Sequence, residues 1–312
     1  MKLFKKITLV IVISTVLSLL GGYFYFDQKF TPPENDLNVS GFTKDISMRW
    51  VSSEENPYSA TLLPVQIKGI DKTFYMQLDS GSPITLFYKK SLESIQSKLQ
   101  HSFKFNTDQN QISIHFNIGT MSIVSDHFKV LNYGNIIDLN NPNAENIIGT
   151  IGTDLLERRV TILDFKNNLC SFVEDIKGEE FTEFEFKKRK IIFPATIGDE
   201  KLKLLYDSGT SGYELITNKE EWEKYKTQNS KPSIEKGNSW GNMLTVISAA
   251  TKNTIKIGNQ DLKLSEVTYV EGTSQIQNLL MKTSGMQGMI GNKLFLNHKL
   301  ILDCKNKKFK VE

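Results

Sequence analysis

The 312-residue chain has two cysteines, four histidines and three tryptophans, and outside its first six residues its charges cancel. Each scarcity removes a class of function. Two cysteines cannot build the disulfide framework on which small exported domains depend. His101, His115, His127 and His298 show no metal-ligand spacing with one another or with the cysteines, so neither a metal nor a cofactor is expected. The formal charge of +3 comes from Lys2, Lys5 and Lys6, and the rest of the chain carries 35 acidic and 35 basic residues. A body without a basic field gives no reason to expect nucleic acid as a partner. No glycine-rich loop leads from a strand into a helix to cradle phosphate, and Gly209-Thr210-Ser211-Gly212 is not the elbow that presents a nucleophilic serine.

One long apolar run is present. Residues 7–26 carry no charge for 20 positions, about the length that spans a bilayer core as a helix. Lysines precede it and Tyr23 to Phe26 close it, which keeps the N-terminus inside and puts the body outside the membrane. A cleaved signal peptide is the competing reading, and either choice exports the body to the periplasm or cell surface, or secretes it after cleavage. An uncleaved anchor is preferred, because the run is long and no small-residue cleavage pattern follows. Residues 27–50, with two prolines at 32 and 33, read as a polar spacer, and a removable prosegment is the alternative.

The informative feature is a repeat. Leu78-Asp79-Ser80-Gly81-Ser82 and Tyr206-Asp207-Ser208-Gly209-Thr210 each close an apolar, strand-like run with a carboxylate. A single Asp-Ser-Gly is ordinary turn chemistry. Here the surroundings repeat too: Gly149-Thr150-Ile151-Gly152 and Ile162-Leu163-Asp164 follow the first copy, Gly288-Met289-Ile290-Gly291 and Ile301-Leu302-Asp303 the second. From Gly152 to Asp164 and from Gly291 to Asp303 the spacing is 12 residues in both halves. The boundaries drawn from this pattern are 51–178 and 179–312. Asp164 and Asp303 each precede a Lys-Asn turn and read as hairpin ends. Cys170 and Cys304 lie in or beside those hairpins but are not equivalent in the repeat, so reduced buried thiols are preferred over a bridge.

In these motifs the chain resembles the bilobal pepsin-like and retropepsin-like aspartic proteases. The resemblance implies an all-β, bilobal fold with pseudo-twofold symmetry, here preceded by a transmembrane helix. It implies that Asp79 and Asp207 form a catalytic dyad acting on a peptide or protein substrate through an activated water. By the same resemblance Ser80 and Ser208 cross-bond beneath the dyad, Gly81 and Gly209 allow the tight turn, and the hydroxyls of Ser82 and Thr210 bond the outer carboxylate oxygens. Gly152 and Gly291 let the chain thread close beneath each loop. Pro83 departs from the small polar residue usual at its position and removes one amide donor. The flap that closes over the cleft in this family is sought around 118–121 in the first half. Trp240, between glycines in the comparable part of the second half, is a candidate substrate-facing aromatic, or equally a surface tryptophan packed on its own half. Both carboxylates come from one chain, so a monomer suffices. The alternative from another class is a non-catalytic peptide-binding module on the same fold.

Overall fold

The computed structural model describes residues 28, 31–53, 56–99, 103–106, 108, 110–141, 143–239, 242–272 and 285–312. The chain divides into two units, Met1–Asn35 and Asp36–Glu312, and the second holds both repeats. The apolar run at 7–26 and Trp240 lie outside the described residues. Among those described, no helix is long and apolar enough to cross a membrane.

Strands follow from alternation. In Gln111–Ile118 the residues Ile112, Ile114, Phe116 and Ile118 are buried and the four between them are half-exposed. Successive strand side chains point to opposite faces, so only a strand can bury this set together. Thr73–Leu78 turns Phe74, Met76 and Leu78 inward by the same rule.

In the first half six strands close on themselves. Met121–Leu131 pairs with Leu86–Tyr88, followed in order by Ile147–Ile151, Thr73–Leu78, Ala60–Ile67 and Gln111–Ile118, which returns to Met121–Leu131. Closure removes open edges that another chain could pair with. The second half repeats the central order, with Leu215–Thr217 beside Gly288–Ile290, then Glu200–Tyr206, then Lys190–Ile197. In each half the strand leading to the Asp runs parallel to the strand leading to the Gly of the second motif. Parallel neighbours end at the same edge, so Asp79 emerges beside Gly152 and Asp207 beside Gly291.

A six-stranded sheet joins the halves, in the order Thr182–Glu183, Lys308–Val311, Lys299–Asp303, Val160–Asp164, Leu169–Val173, Thr43–Ser47. At its centre Ile162 lies opposite Ile301, with Val160 opposite Asp303 and Asp164 opposite Lys299. The repeat equates Ile162 with Ile301, so the pseudo-twofold axis passes through that pair. The hairpin ends are alike: Asn167 donates through its main-chain and side-chain N–H groups to Asp164 at 3.0 and 2.9 Å, and Asn306 to Asp303 at 2.9 and 2.8 Å.

Two expectations are corrected. The polar spacer at 27–50 is in part built into the fold, because Asn38–Ser40 pairs with Met121–Leu131, Thr43–Ser47 edges the joining sheet and Arg49–Val51 pairs with Ala60–Ile67. These are short edge strands held by main-chain bonds, so they bury few apolar side chains and leave little periodicity to read. The turn at 118–121 is not a flap. Asn117 lies opposite Gln66 and Phe116 opposite Ile67, and the turn that follows is held against residues 42 and 43. There Thr120 is bonded to Thr43 and to the Phe42 carbonyl, and Ile118 and Met121 are fully buried.

Cys170 and Cys304 are free and buried. Burial pushes both thiols well above their ordinary range. A thiol reagent is therefore expected to label neither cysteine in the native protein and both after denaturation, with no change in electrophoretic mobility on reduction. Rapid native labelling, or loss of a crosslink on reduction, would contradict this arrangement.

Candidate active site

The two Asp loops are built alike in the bonds of their Asp, Ser and Gly residues. The Asp79 amide donates to the Ile151 carbonyl at 3.0 Å and the Asp207 amide to that of Ile290 at 2.9 Å. Gly81 N–H donates to Asp79 Oδ1 and Gly209 N–H to Asp207 Oδ1, each at 2.9 Å. Ser80 N–H donates to Ser208 Oγ and Ser208 N–H to Ser80 Oγ, each at 2.8 Å. Each of these hydroxyls in turn donates across the axis, Ser80 Oγ to the Tyr206 carbonyl at 2.9 Å and Ser208 Oγ to the Leu78 carbonyl at 3.0 Å. Both serines are buried. Four hydrogen bonds thus lock one loop to the other directly beneath the acids.

The glycines record how closely the loops approach. A Cβ on Gly81 would lie 2.6 Å from Asp207 Oδ1, and one on Gly209 would lie 2.5 Å from Asp79 Oδ1. Only hydrogen leaves room there, so each carboxyl lies against the other loop's glycine. Gly152 and Gly291 are enclosed by main chain. A Cβ on the first would lie 2.3 Å from the Ile84 carbonyl carbon, and one on the second 2.1 Å from the Thr210 carbonyl oxygen.

The Ser82 and Thr210 hydroxyls do not take the places that the resemblance assigns them. Ser82 Oγ donates to the Ile84 carbonyl and Thr210 Oγ1 to the Asp207 carbonyl, each at 2.8 Å. Short hydroxyl side chains compete for nearby main-chain groups, and the carboxylates are served by amides instead. The Ser82 amide reaches Asp79 Oδ1 at 3.2 Å.

Beneath the loops lie buried polar groups with no motif of their own. In the second half the Asn292 side-chain amide donates to Thr61 Oγ1 at 2.9 Å and Ser211 Oγ at 2.7 Å, and its oxygen accepts from the Tyr206 hydroxyl at 2.6 Å. Thr61 comes from the first half, so this network also crosses the axis. In the first half Asp154 accepts from the Thr85 amide at 2.6 Å and the Thr85 hydroxyl at 2.7 Å. Asn292 directly follows Gly291 and Asp154 lies two residues after Gly152, so closeness to the repeated glycines is the signal that could have found them. Nothing in the sequence marked Thr61 or Thr85.

Electrostatically the acids are a coupled pair. Burial, and then the negative charge of Asp207, push the Asp79 carboxyl up to about 7, against the pull of the Gly81 and Ser82 amides. Burial also raises Asp207, opposed by the amides of Gly209 and Thr210. Like charges this close resist ionising together, so the pair retains a shared proton and titrates as a unit. Among the described residues no group of His, Cys, Asp and Glu is arranged to hold a metal ion.

Compared with known proteins, the chain matches no protein-family model and no curated protein. It is similar in structure to an aspartic proteinase from Irpex lacteus, at 10% identity over 87% of this chain and 97% of that one, with a TM-score of 0.48. A likeness that distant carries no weight, and the functional reading stands on the geometry of the loops.

Replacing Ser208 by alanine removes the acceptor of the buried Ser80 amide and the donor to Leu78. Each stranded buried group costs about 1–3 kcal/mol, so Ser208→Ala is expected to lower unfolding free energy by roughly 2–4 kcal/mol. Ser80→Ala should cost a similar amount, and the double variant much less than their sum. Strict additivity in chemical denaturation would show that the cross-bonds do not act together.

Proposed function

We propose that this chain is an aspartic endopeptidase. The observation that carries the reading is the approach of Asp79 and Asp207 across the axis, each lying against the other loop's glycine and both raised by burial. A singly protonated pair has the two functions that metal-free peptide hydrolysis needs. The ionised carboxylate takes a proton from a water held between the acids. The resulting oxygen nucleophile attacks the scissile carbonyl while the protonated carboxyl donates to the carbonyl oxygen. Collapse of the tetrahedral adduct returns a proton to the leaving amine and restores the pair. An extended peptide, bound by strand-like main-chain bonds between the halves, is the substrate class. We place the protein as a monomer outside the membrane, held there by the run at 7–26.

Both acids are needed, so Asp79→Asn and Asp207→Asn should each reduce cleavage of a mixed peptide library by at least about 10²–10⁴-fold, the usual scale of general acid and base catalysis. Equal cleavage by wild type and both variants rejects the endopeptidase. Binding of peptides without cleavage by wild type identifies a peptide-binding module instead.

The raised Asp79 also fixes a pH dependence. The productive state is the singly protonated pair, so kcat/KM should fall as pH rises through about 7, where the shared proton is lost. Stability follows the same sign. A carboxyl that holds its proton more tightly folded than unfolded stabilises the fold below its unfolded value near 3.8, and that contribution is lost as pH rises toward 7. Asp79→Asn should therefore lose less stability than wild type between pH 4 and pH 7, by on the order of 2 kcal/mol. Parallel unfolding curves for the two proteins over that range would refute the assignment.

A further inference from the structure

Arg189 is the only lysine or arginine that is buried among the described residues, at 6% exposure. It sits in the two-residue turn between Glu185–Lys187 and Lys190–Ile197, where Lys187 pairs with Lys190. Lys188 and Arg189 have φ of 52° and 58°, the left-handed pair that a tight hairpin requires and that glycine or asparagine usually supplies. Accepting that conformation without glycine points to a demand on the side chain. It belongs to the second half, yet its contacts are with the first. Nε donates to Glu157 Oε2 at 3.1 Å, Nη1 donates to the Pro83 carbonyl at 3.2 Å, and the Arg189 carbonyl accepts from Thr153 Oγ1 at 2.8 Å. Thr153 itself holds the Ser82 carbonyl, through its amide at 2.9 Å and its hydroxyl at 3.1 Å.

We propose that Arg189 is a positioning residue: reaching from the second half, it fixes the turn at residues 82 and 83 in the Asp79 loop and thereby the approach of Asp79 to Asp207. The inference rests on the endopeptidase reading for its effect on rate, but not for its effect on the loop. Pro83 is where the first loop departs from the usual pattern, since proline cannot donate a hydrogen bond. Its carbonyl still needs a donor, and a planar guanidinium can serve that carbonyl and the Glu157 carboxylate at once, which a lysine ammonium matches poorly. Asp154, packed beneath the same loop, also feels the Arg189 charge. The second loop has a neutral counterpart, in which Asn56 of the first half donates through Nδ2 to the Gly212 carbonyl at 3.0 Å. Each half therefore reaches across to steady the other's acidic loop, and only the first loop is held by a buried charge.

The test uses Arg189→Met, Arg189→Lys and the double variant Arg189→Met with Glu157→Met, all in the protein carrying the whole body. The single methionine variant removes Arg189 from Glu157 and from the Pro83 carbonyl and loses stability. The double variant removes the Glu157 carboxylate as well and regains folding, but leaves the Pro83 carbonyl without its guanidinium donor. In the double variant, below its melting temperature, kcat/KM is expected to fall at least tenfold, with the upper limb of its pH profile shifted down by about half a unit or more as the acids separate. Arg189→Lys should fall between wild type and double variant. An activity-free readout accompanies this: the Asp79→Asn effect on the pH dependence of thermal unfolding should shrink when introduced into the double variant. If the folded double variant keeps the wild-type rate, pH profile and Asp79-dependent titration, the proposal is overturned. If wild type cleaves nothing and the titration still responds to Arg189, the endopeptidase reading fails while the positioning role stands.

Discussion

Two carboxyl groups, Asp79 buried and Asp207 half-buried, are held against each other's loops where water screens them poorly. At an effective dielectric constant near 20, unit charges about 4 Å apart repel by roughly 4 kcal/mol, and each hydrogen bond that holds them there contributes about 1 kcal/mol net. The four bonds of Ser80 and Ser208 are together of the same order as the repulsion they oppose. Neither side wins outright, and the conflict is resolved by protonation: one shared proton removes most of the repulsion and leaves the geometry intact. The raised affinity of the pair for that proton is thus the consequence of a main chain that does not yield.

That rigidity is assembled from two ties between the halves at different levels. The joining sheet pairs Ile162 with Ile301 on the pseudo-twofold axis, and the cross-bonded serines meet on the same axis beneath the acids. A single tie leaves the halves free to pivot about it. Two ties along one axis restrict the opening between the halves, and the contacts of Thr61 with Asn292, Asn56 with Gly212 and Arg189 with Pro83 add further bonds from one half to the other. All of these act on main chain or on side chains that carry it, which is the part of the structure that sets the distance between the acids.

What the sequence disclosed depended on whether a feature was repeated. Asp79 with Asp207, Gly152 with Gly291, and Asp164 with Asp303 stood out because each had a partner at matching spacing, and a motif that is uninformative once becomes informative twice. Features that occur in one half had no such amplification. Arg189 stands in a run of lysines, and nothing in Lys187-Lys188-Arg189-Lys190 distinguishes the residue that turns inward. Edge strands such as Thr43–Ser47 were taken as spacer because their burial is low and their hydrogen bonds are invisible to residue type. The turn at 118–121 shows the same limit: Gly119 marks a tight turn, but only the bonds of Thr120 to residues 42 and 43 show what that turn packs against. The Ser82 and Thr210 hydroxyls were misassigned because composition cannot say whether a hydroxyl prefers a carboxylate or the nearest carbonyl.

Duplication within one chain also permits something that two identical copies could not have. The donors to Asp79 and Asp207 are matched to within about 0.1 Å at Gly81 and Gly209, so the loops alone give the shared proton no preferred side. The surroundings do. Beneath the Asp79 loop lie the ionisable Asp154 and the buried Arg189, whereas beneath the Asp207 loop lie Asn292, Ser211 and the Tyr206 hydroxyl. These layers differ, so the surroundings of the two carboxyls are unequal while the glycine and serine bonds above them match. Because the halves are separate stretches of sequence, each layer can change without the other, so the asymmetry of the pair can be adjusted from beneath without disturbing the glycines and serines that bring the acids together.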